Sequence, residues 1–242
     1  METWCLITAL GLVAGALTTI AGIGGGLIVT LVLAAAWDPH LALAVAAPAL
    51  LLGNGHRVWM YWRHVDRPVG WRIGAPAFAG AVLGGLVAAW LPDAPLRIML
   101  LVVAVVAMVR AAMRTDVQLG RRSLAGGGAL MGVVTATTGG GGLVLAPLSL
   151  AAGLRGSAFI ATNSAVGVTV HVARIGAYAA AGMLSLAVLP QALALAGAIT
   201  VGNLGARALR PRISERWCLA VTWASLAGGL VIAAASLWPG AA

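Results

Sequence analysis

"TATTGGGGLVLAPLSL", residues 135–150, sets four consecutive glycines, Gly139 to Gly142, inside an apolar run that would otherwise continue as a helix. Glycine is among the poorest helix formers, so its meaning here depends on the solvent around the chain. Of 242 residues, 61% are hydrophobic and 9% charged, and the mean hydropathy is +1.00. Soluble domains carry about a quarter charged residues. The composition therefore places the chain in a bilayer. Apolar segments recur as far as Trp238, too many and too long for one cleaved leader, and no separate soluble domain is expected.

Charge orients the chain. All fifteen basic residues are Arg, and most fall in three stretches, Arg57 to Arg72, Arg110 to Arg122 and Arg207 to Arg216, each summing to +3. Positive-inside bias accounts for this excess without nucleic acid, although the pI is near 11.6. Residues 41–60, 71–91, 96–113, 158–178, 183–206 and 217–238 each read as one crossing. Residues 3–37 and 123–152 are too long for one crossing and short for two, and both hold a glycine cluster. Parity decides their form. For Arg121, Arg122 and the 207–216 cluster to share one face, residues 123–152 must form a hairpin that turns at the glycines. A second such hairpin at the N-terminus leaves thirteen of fifteen Arg cytoplasmic, the exceptions being Arg97 and Arg174.

The two hairpins are related in sequence. "GGGLIVTL" at 24–31 aligns with "GGGLVLAP" at 140–147 at an offset of 116, which also sets Thr19 on Thr135. Each copy makes five passes, and an odd number turns the second over, the mark of an inverted repeat. The expected fold is an all-α polytopic membrane protein of two inverted repeats, residues 1–118 and 119–242, each beginning with a glycine-broken helical hairpin. Non-helical backbone at membrane depth survives only when packed in protein or facing a watery cavity. A break there also frees N–H groups at the start of the next segment, expected near Leu27 and Leu143, and these favour an anion. Spaced glycines such as Gly80 and Gly84 read instead as close helix packing.

Four stretches carry a family resemblance: "AGIGGGLIVTLVL" at 21–33, "RHVD" at 63–66, "TTGGGGLVLAPLSL" at 137–150 and "GNLGARALRPRISERW" at 202–217. Together they resemble the TauE/SafE family of sulfite exporters, also described as the 4-toluene sulfonate uptake permease group. The resemblance implies a carrier that moves sulfite, sulfonates or related carboxylates across a bacterial inner membrane.

Candidate substrate-binding residues are Thr18, Thr19, Gly24, Gly25, Gly26, Asn54, Thr137, Thr138, Gly139, Gly140, Gly141, Gly142, Asn163 and Ser164. Threonine hydroxyls near the breaks offer donors to oxyanion oxygens, or bond to the carbonyl one turn back. Asn54 in "LLGNGHRV" and Asn163 in "ATNSAVG" occupy similar places in the third pass of each repeat, as ligands or as interhelical glue. His56, Arg57, His171 and Arg174 are candidates for gating or proton coupling. Arg57, near a helix end, reads as reaching for headgroups; Arg174, isolated on the Arg-poor side, reads as the better anion contact. Eight of nine Trp fall near segment ends as interfacial anchors.

No nucleotide, metal or cysteine motif stands out, and no catalytic carboxylate dyad lies in the apolar segments, so neither an enzyme nor a cofactor is expected. Expected partners are a small anionic substrate, membrane lipid and a coupling proton, with no nucleic acid and a homo-oligomer left open. The functional expectation is a secondary anion transporter; a passive anion channel and a non-transporting binding or assembly subunit are the alternatives. The Arg parity predicts periplasmic termini and cytoplasmic loops at Arg67, Arg121 and Arg212. Glu2→Cys should label with an impermeant thiol reagent added outside, and Arg121→Cys should not, in a background lacking Cys5 and Cys218. The reverse pattern would exclude the hairpin topology.

Overall fold

The computed structural model describes residues 1–22, 24–113 and 121–209, with six further positions between 217 and 231. Most of the crossing expected over 217–238, and the loop at Arg212, lie outside them. Among the described residues the chain is helical: α1 Glu2–Ala21, α2 Gly25–Ala36, α3 Pro39–Tyr61, α4 Arg67–Trp90, α5 Asp93–Met113, α6 Arg121–Thr138, α7 Gly142–Ala151, α8 Gly156–Ala180 and α9 Leu189–Leu209. One-turn 3-10 segments occupy Trp62–His64 and Leu186–Val188. Five of the helices are long and apolar enough to cross a membrane, which makes this an all-α polytopic membrane protein.

Local chemistry sets the boundaries. Asp38 caps α3 by accepting from the Leu41 N–H at 2.8 Å, and Asp66 caps α4 by accepting from the Val69 N–H at 3.0 Å. Proline follows each cap within the first two helical positions, where its missing N–H costs nothing. Both long N-terminal stretches are split as expected. α1 ends at Gly22 with φ 77°, Gly24 follows with φ 97°, and α6 ends at Gly139 with φ 71°. These left-handed conformations are cheap only for glycine. The second limbs begin at Gly25 and Gly142, two residues and one residue before the expected Leu27 and Leu143. The limbs are unequal: α1 and α6 have 20 and 18 residues, α2 and α7 only 12 and 10. At 1.5 Å per residue the second limbs reach only about 15–18 Å. A further shift concerns α9, expected from residue 183, which starts at Leu189 after a loop and a 3-10 turn.

A small apolar cluster of Leu43, Ala47, Ala88, Leu96 and Tyr178 ties α3 and α5 to α4 and α8, and two larger cores form beside it. One joins α1, α2, α3, α5 and α9; the other joins α4, α6, α7 and α8. The first broken hairpin thus shares its core with α9, and the second with α4. Glycine makes both seams possible. A Cβ on Gly15 of α1 or Gly202 of α9 would strike the Ile199 or Leu12 carbonyl oxygen across the α1/α9 seam. On the α4/α6 seam, a Cβ on Gly132 or Gly80 would strike the carbonyl oxygen of Ala77 or Ala129. The contacts correspond: a shift of 117 turns Gly15 into Gly132 and Leu12 into Ala129, while a shift of 122 turns Ala77 into Ile199 and Gly80 into Gly202. The second limbs keep the 116 of the aligned glycines, since a Cβ on Gly25 would meet Thr18 and Ala14 as one on Gly141 would meet Thr135 and Met131, but the first limbs correspond at a shift of 117. That shift sets Thr18, not Thr19, on Thr135, and each donates to the carbonyl four residues back, Ala14 and Met131, at 2.7 Å.

Backbone cannot yield to a methyl group as a side-chain tip can. Gly132→Ala should lower the stability of the purified protein by about 1–3 kcal/mol, whereas Gly197→Ala, where a Cβ meets nothing within 4 Å, should be neutral or slightly stabilising. Thermal unfolding in detergent reads both; equal stability of the two variants would contradict the close seam.

Candidate functional site

The two glycine breaks meet. A Cβ on Gly139 would lie 2.9 Å from the Gly26 carbonyl oxygen, and one on Gly26 would lie 3.1 Å from that of Gly139. Beside this meeting point lies a cavity of about 80 Å³, lined by Gly22, Gly24 and Gly26 of the first break and Gly139, Gly140 and Gly142 of the second. Thr18, Thr135, Asn54, Arg57, Asn163, Ser164 and His171 supply its polar wall, and Leu27, Leu50, Met131, Leu143 and Leu145 the apolar one. α2 and α7 both begin here, so the positive ends of both helices lie at the cavity, although the Leu143 and Val144 N–H groups of α7 already donate to the Gly140 and Gly141 carbonyls at 3.1 and 3.0 Å.

Arg57 is the cation of this wall. It is 5% exposed and turns inward, against the expectation that it reaches for headgroups. Three other helices hold it there. Nε donates to Ser164 Oγ on α8 at 3.1 Å, and Nη1 donates to Thr18 Oγ1 on α1 at 2.5 Å and to Asn203 Oδ1 on α9 at 3.2 Å. Nη2 donates to Asn54 Oδ1 at 2.5 Å, one turn back on α3. A guanidinium has five N–H groups; four are engaged and one, on Nη2, is free. All four acceptors are neutral. The one salt bridge among the described residues joins His40 to Asp93 at 2.7 Å, away from the cavity.

Further donors converge. Ser149 Oγ, on α7, donates to Asn163 Oδ1 at 2.5 Å, which fixes the amide and leaves buried Asn163 Nδ2 with no partner. His171 Nδ1 is likewise buried and unpartnered. An Arg N–H, an amide NH2 and an imidazole thus border one small cavity with no carboxylate in its lining. Carboxylate and imidazole ligand atoms of Asp38, His40 and Asp93 lie within 4.8 Å of one another, but at the N-terminal ends of α3 and α5, outside the cavity.

Other candidates point elsewhere. Thr19 donates to Asn203 Oδ1 at 2.9 Å; Thr137 and Thr138 donate back to the Val133 and Val134 carbonyls at 2.9 and 2.7 Å. Gly25 and Gly141 pack their limbs against the first limb of each hairpin, where a Cβ would meet Thr18 and Ala14 or Thr135 and Met131. His56 lies 3.4 Å from Asn203 Nδ2 and stacks on Trp59. Arg174 is fully buried and absent from the cavity lining. Asn54 and Asn163 are not register mates, since 117 carries Asn54 onto His171 and Arg57 onto Arg174. Sequence reading passed over Gly22, Ser149 and Asn203. Asn203 stands in the quoted stretch at 202–217, and an amide in an apolar run was its only signal.

The model of the family described as sulfite exporter TauE/SafE matches residues 7–236. No curated protein matches the chain, and no solved structure does. A match over nearly the whole chain, together with five long apolar helices, places this multi-pass membrane protein among membrane transporters: the chain belongs to the sulfite exporter TauE/SafE family.

Proposed function

We propose that the protein is a secondary transporter for a small sulfur-containing or organic anion, a sulfite, a sulfonate or a related carboxylate, working by alternating access in the bacterial inner membrane. One observation carries this reading: Arg57 is buried, has no carboxylate among its partners, keeps one N–H unengaged and lines the cavity between the two helix breaks. A buried cation without a counter-charge is costly, and a bound anion removes that cost. The donor set suits an oxyanion with several oxygens: Arg57 Nη2 and Asn163 Nδ2, with the positive ends of α2 and α7 beside them. A volume of about 80 Å³ suits a compact anionic head, a water's share of liquid volume being about 30 Å³.

The recurrence of contacts at shifts of 117 and 122 supports two repeats, divided near residues 118 and 119, and five passes per repeat give the second the opposite orientation. The two cores meet along α3 and α8, with the cavity at their junction. That arrangement suits rocking of one body on the other. His171 at the cavity wall is the group we assign to a coupling proton.

Reconstituted protein should carry sulfite, sulfonate or small carboxylate into liposomes, with saturation by substrate and a response to an imposed pH gradient. Arg57→Gln should reduce flux to that of empty liposomes while the protein stays monodisperse, and Arg57→Lys should retain a fraction, since the charge survives but the fork geometry does not. Wild-type flux in Arg57→Gln would overturn the assignment, and fast non-saturating conductive flux would show a channel.

A further inference from the structure

Arg174 presents a problem that packing does not solve. It lies at 0% exposure. Its Nε donates to the Tyr178 hydroxyl at 2.7 Å and its Nη2 to the Leu43 carbonyl at 3.3 Å, while Nη1 has no partner. The Tyr178 hydroxyl in turn donates to the Ala136 carbonyl of α6, and the guanidinium lies 5.2 Å from the Tyr178 ring centroid. No carboxylate approaches. A permanent charge in this position, with one nitrogen unsatisfied, is expensive for a purely structural role.

Register supplies the explanation. The 117-residue shift carries Arg57 onto Arg174 and Tyr61 onto Tyr178. The two pairs occupy opposite conditions in this structure. Arg174 is drawn back onto its tyrosine and shut off from the cavity; Arg57 faces the cavity and leaves its tyrosine free, Tyr61 being half-buried with Arg207 5.9 Å from its ring centroid. The surroundings differ as well. Ser164 and Asn203, which accept from Arg57, correspond to Ala47 and Ala81 at shifts of 117 and 122, both fully buried. Four of the five Arg57 N–H groups are engaged, against two of the five on Arg174.

Resting on the transporter reading above, we infer that Arg174 is the anion contact of the opposite-facing state. The two arginines exchange roles at each turnover. As the second body opens, Arg174 leaves Tyr178 and Leu43 and takes the anion with the nitrogen that has no partner here. Arg57 meanwhile lets go of Thr18, Ser164 and Asn203 and retracts onto the Tyr61 hydroxyl, as Arg174 now does onto Tyr178. Each tyrosine is the latch for one closed half.

The test uses two conservative substitutions expected to act in opposite directions. Reporters are Ala47→Cys and Ser164→Cys in full-length protein lacking Cys5 and Cys218, labelled in liposomes with a small methanethiosulfonate reagent. Tyr178→Phe removes the latch of the state seen here and should raise labelling at position 47 and lower it at 164, by about tenfold if the charged hydrogen bond is worth its usual amount. Tyr61→Phe should do the reverse. Shifts in the same direction, or none, in variants that remain monodisperse would overturn the exchange. Sulfite flux by the parent protein separates the two levels of inference. Flux with unaltered labelling sinks the exchange alone; absence of flux for sulfite, sulfonate and carboxylate in the parent sinks the transporter reading and the exchange with it.

Discussion

Hydrocarbon offers no hydrogen bonds, and every feature of this fold answers to that constraint. A helix satisfies its own backbone; a broken helix does not. The breaks at Gly22 to Gly24 and Gly139 to Gly141 leave backbone polar groups at positions where lipid cannot receive them. They are accommodated by being brought face to face, with Gly26 and Gly139 in contact, so that the orphan groups border a shared cavity instead of lipid. Positive φ at Gly22, Gly24 and Gly139 turns the chain in a conformation that other residues rarely adopt. The helix starts that would be a liability in lipid lie instead against a cavity with polar lining.

Charge in that layer follows the same logic at higher cost. Arg57 is held by hydroxyl and amide oxygens from α1, α3, α8 and α9, a neutral cage that fixes the guanidinium without cancelling its charge. A carboxylate in place of any of these acceptors would pair with the cation and compete with a substrate for it. Asn163 shows the same economy on a smaller scale, its oxygen turned to Ser149 and its NH2 left to face the cavity.

Sequence patterns showed the helix breaks because glycine runs in apolar segments have few other uses, but the crossings expected from 41 and 71 missed the caps at Asp38 and Asp66 that start α3 at Pro39 and α4 at Arg67. Spacing also separated packing glycines from breaking ones: Gly80 and Gly84 do lie against α6. What was not legible is rotation about each helix axis. Thr18 reaches Arg57 whereas Thr19, its neighbour, faces Asn203, and nothing local distinguishes them. Arg57 is turned inward by partners up to 146 residues away, which distance from a helix end could not reveal. The step from 117 in the first limbs to 116 in the second was hidden, because a run of glycines absorbs a one-residue gap without trace.

The pairing of α1 with α9, and of α4 with α6, has a consequence for how the molecule is made. Residues 2–21 leave the ribosome before α2 to α8, yet the helix that fills their glycine-lined face, residues 189–209, follows only after all of these. During that interval α1 must wait in the bilayer with Gly11 and Gly15 uncovered, and α4 must wait for α6. Neither half can complete its core alone, so folding of the pair is a post-insertion event coupled across the full length of the chain. A ribosome that stalls between α5 and α9 leaves behind a segment with exposed small-residue faces, the surface that membrane quality-control proteases and insertion chaperones encounter first.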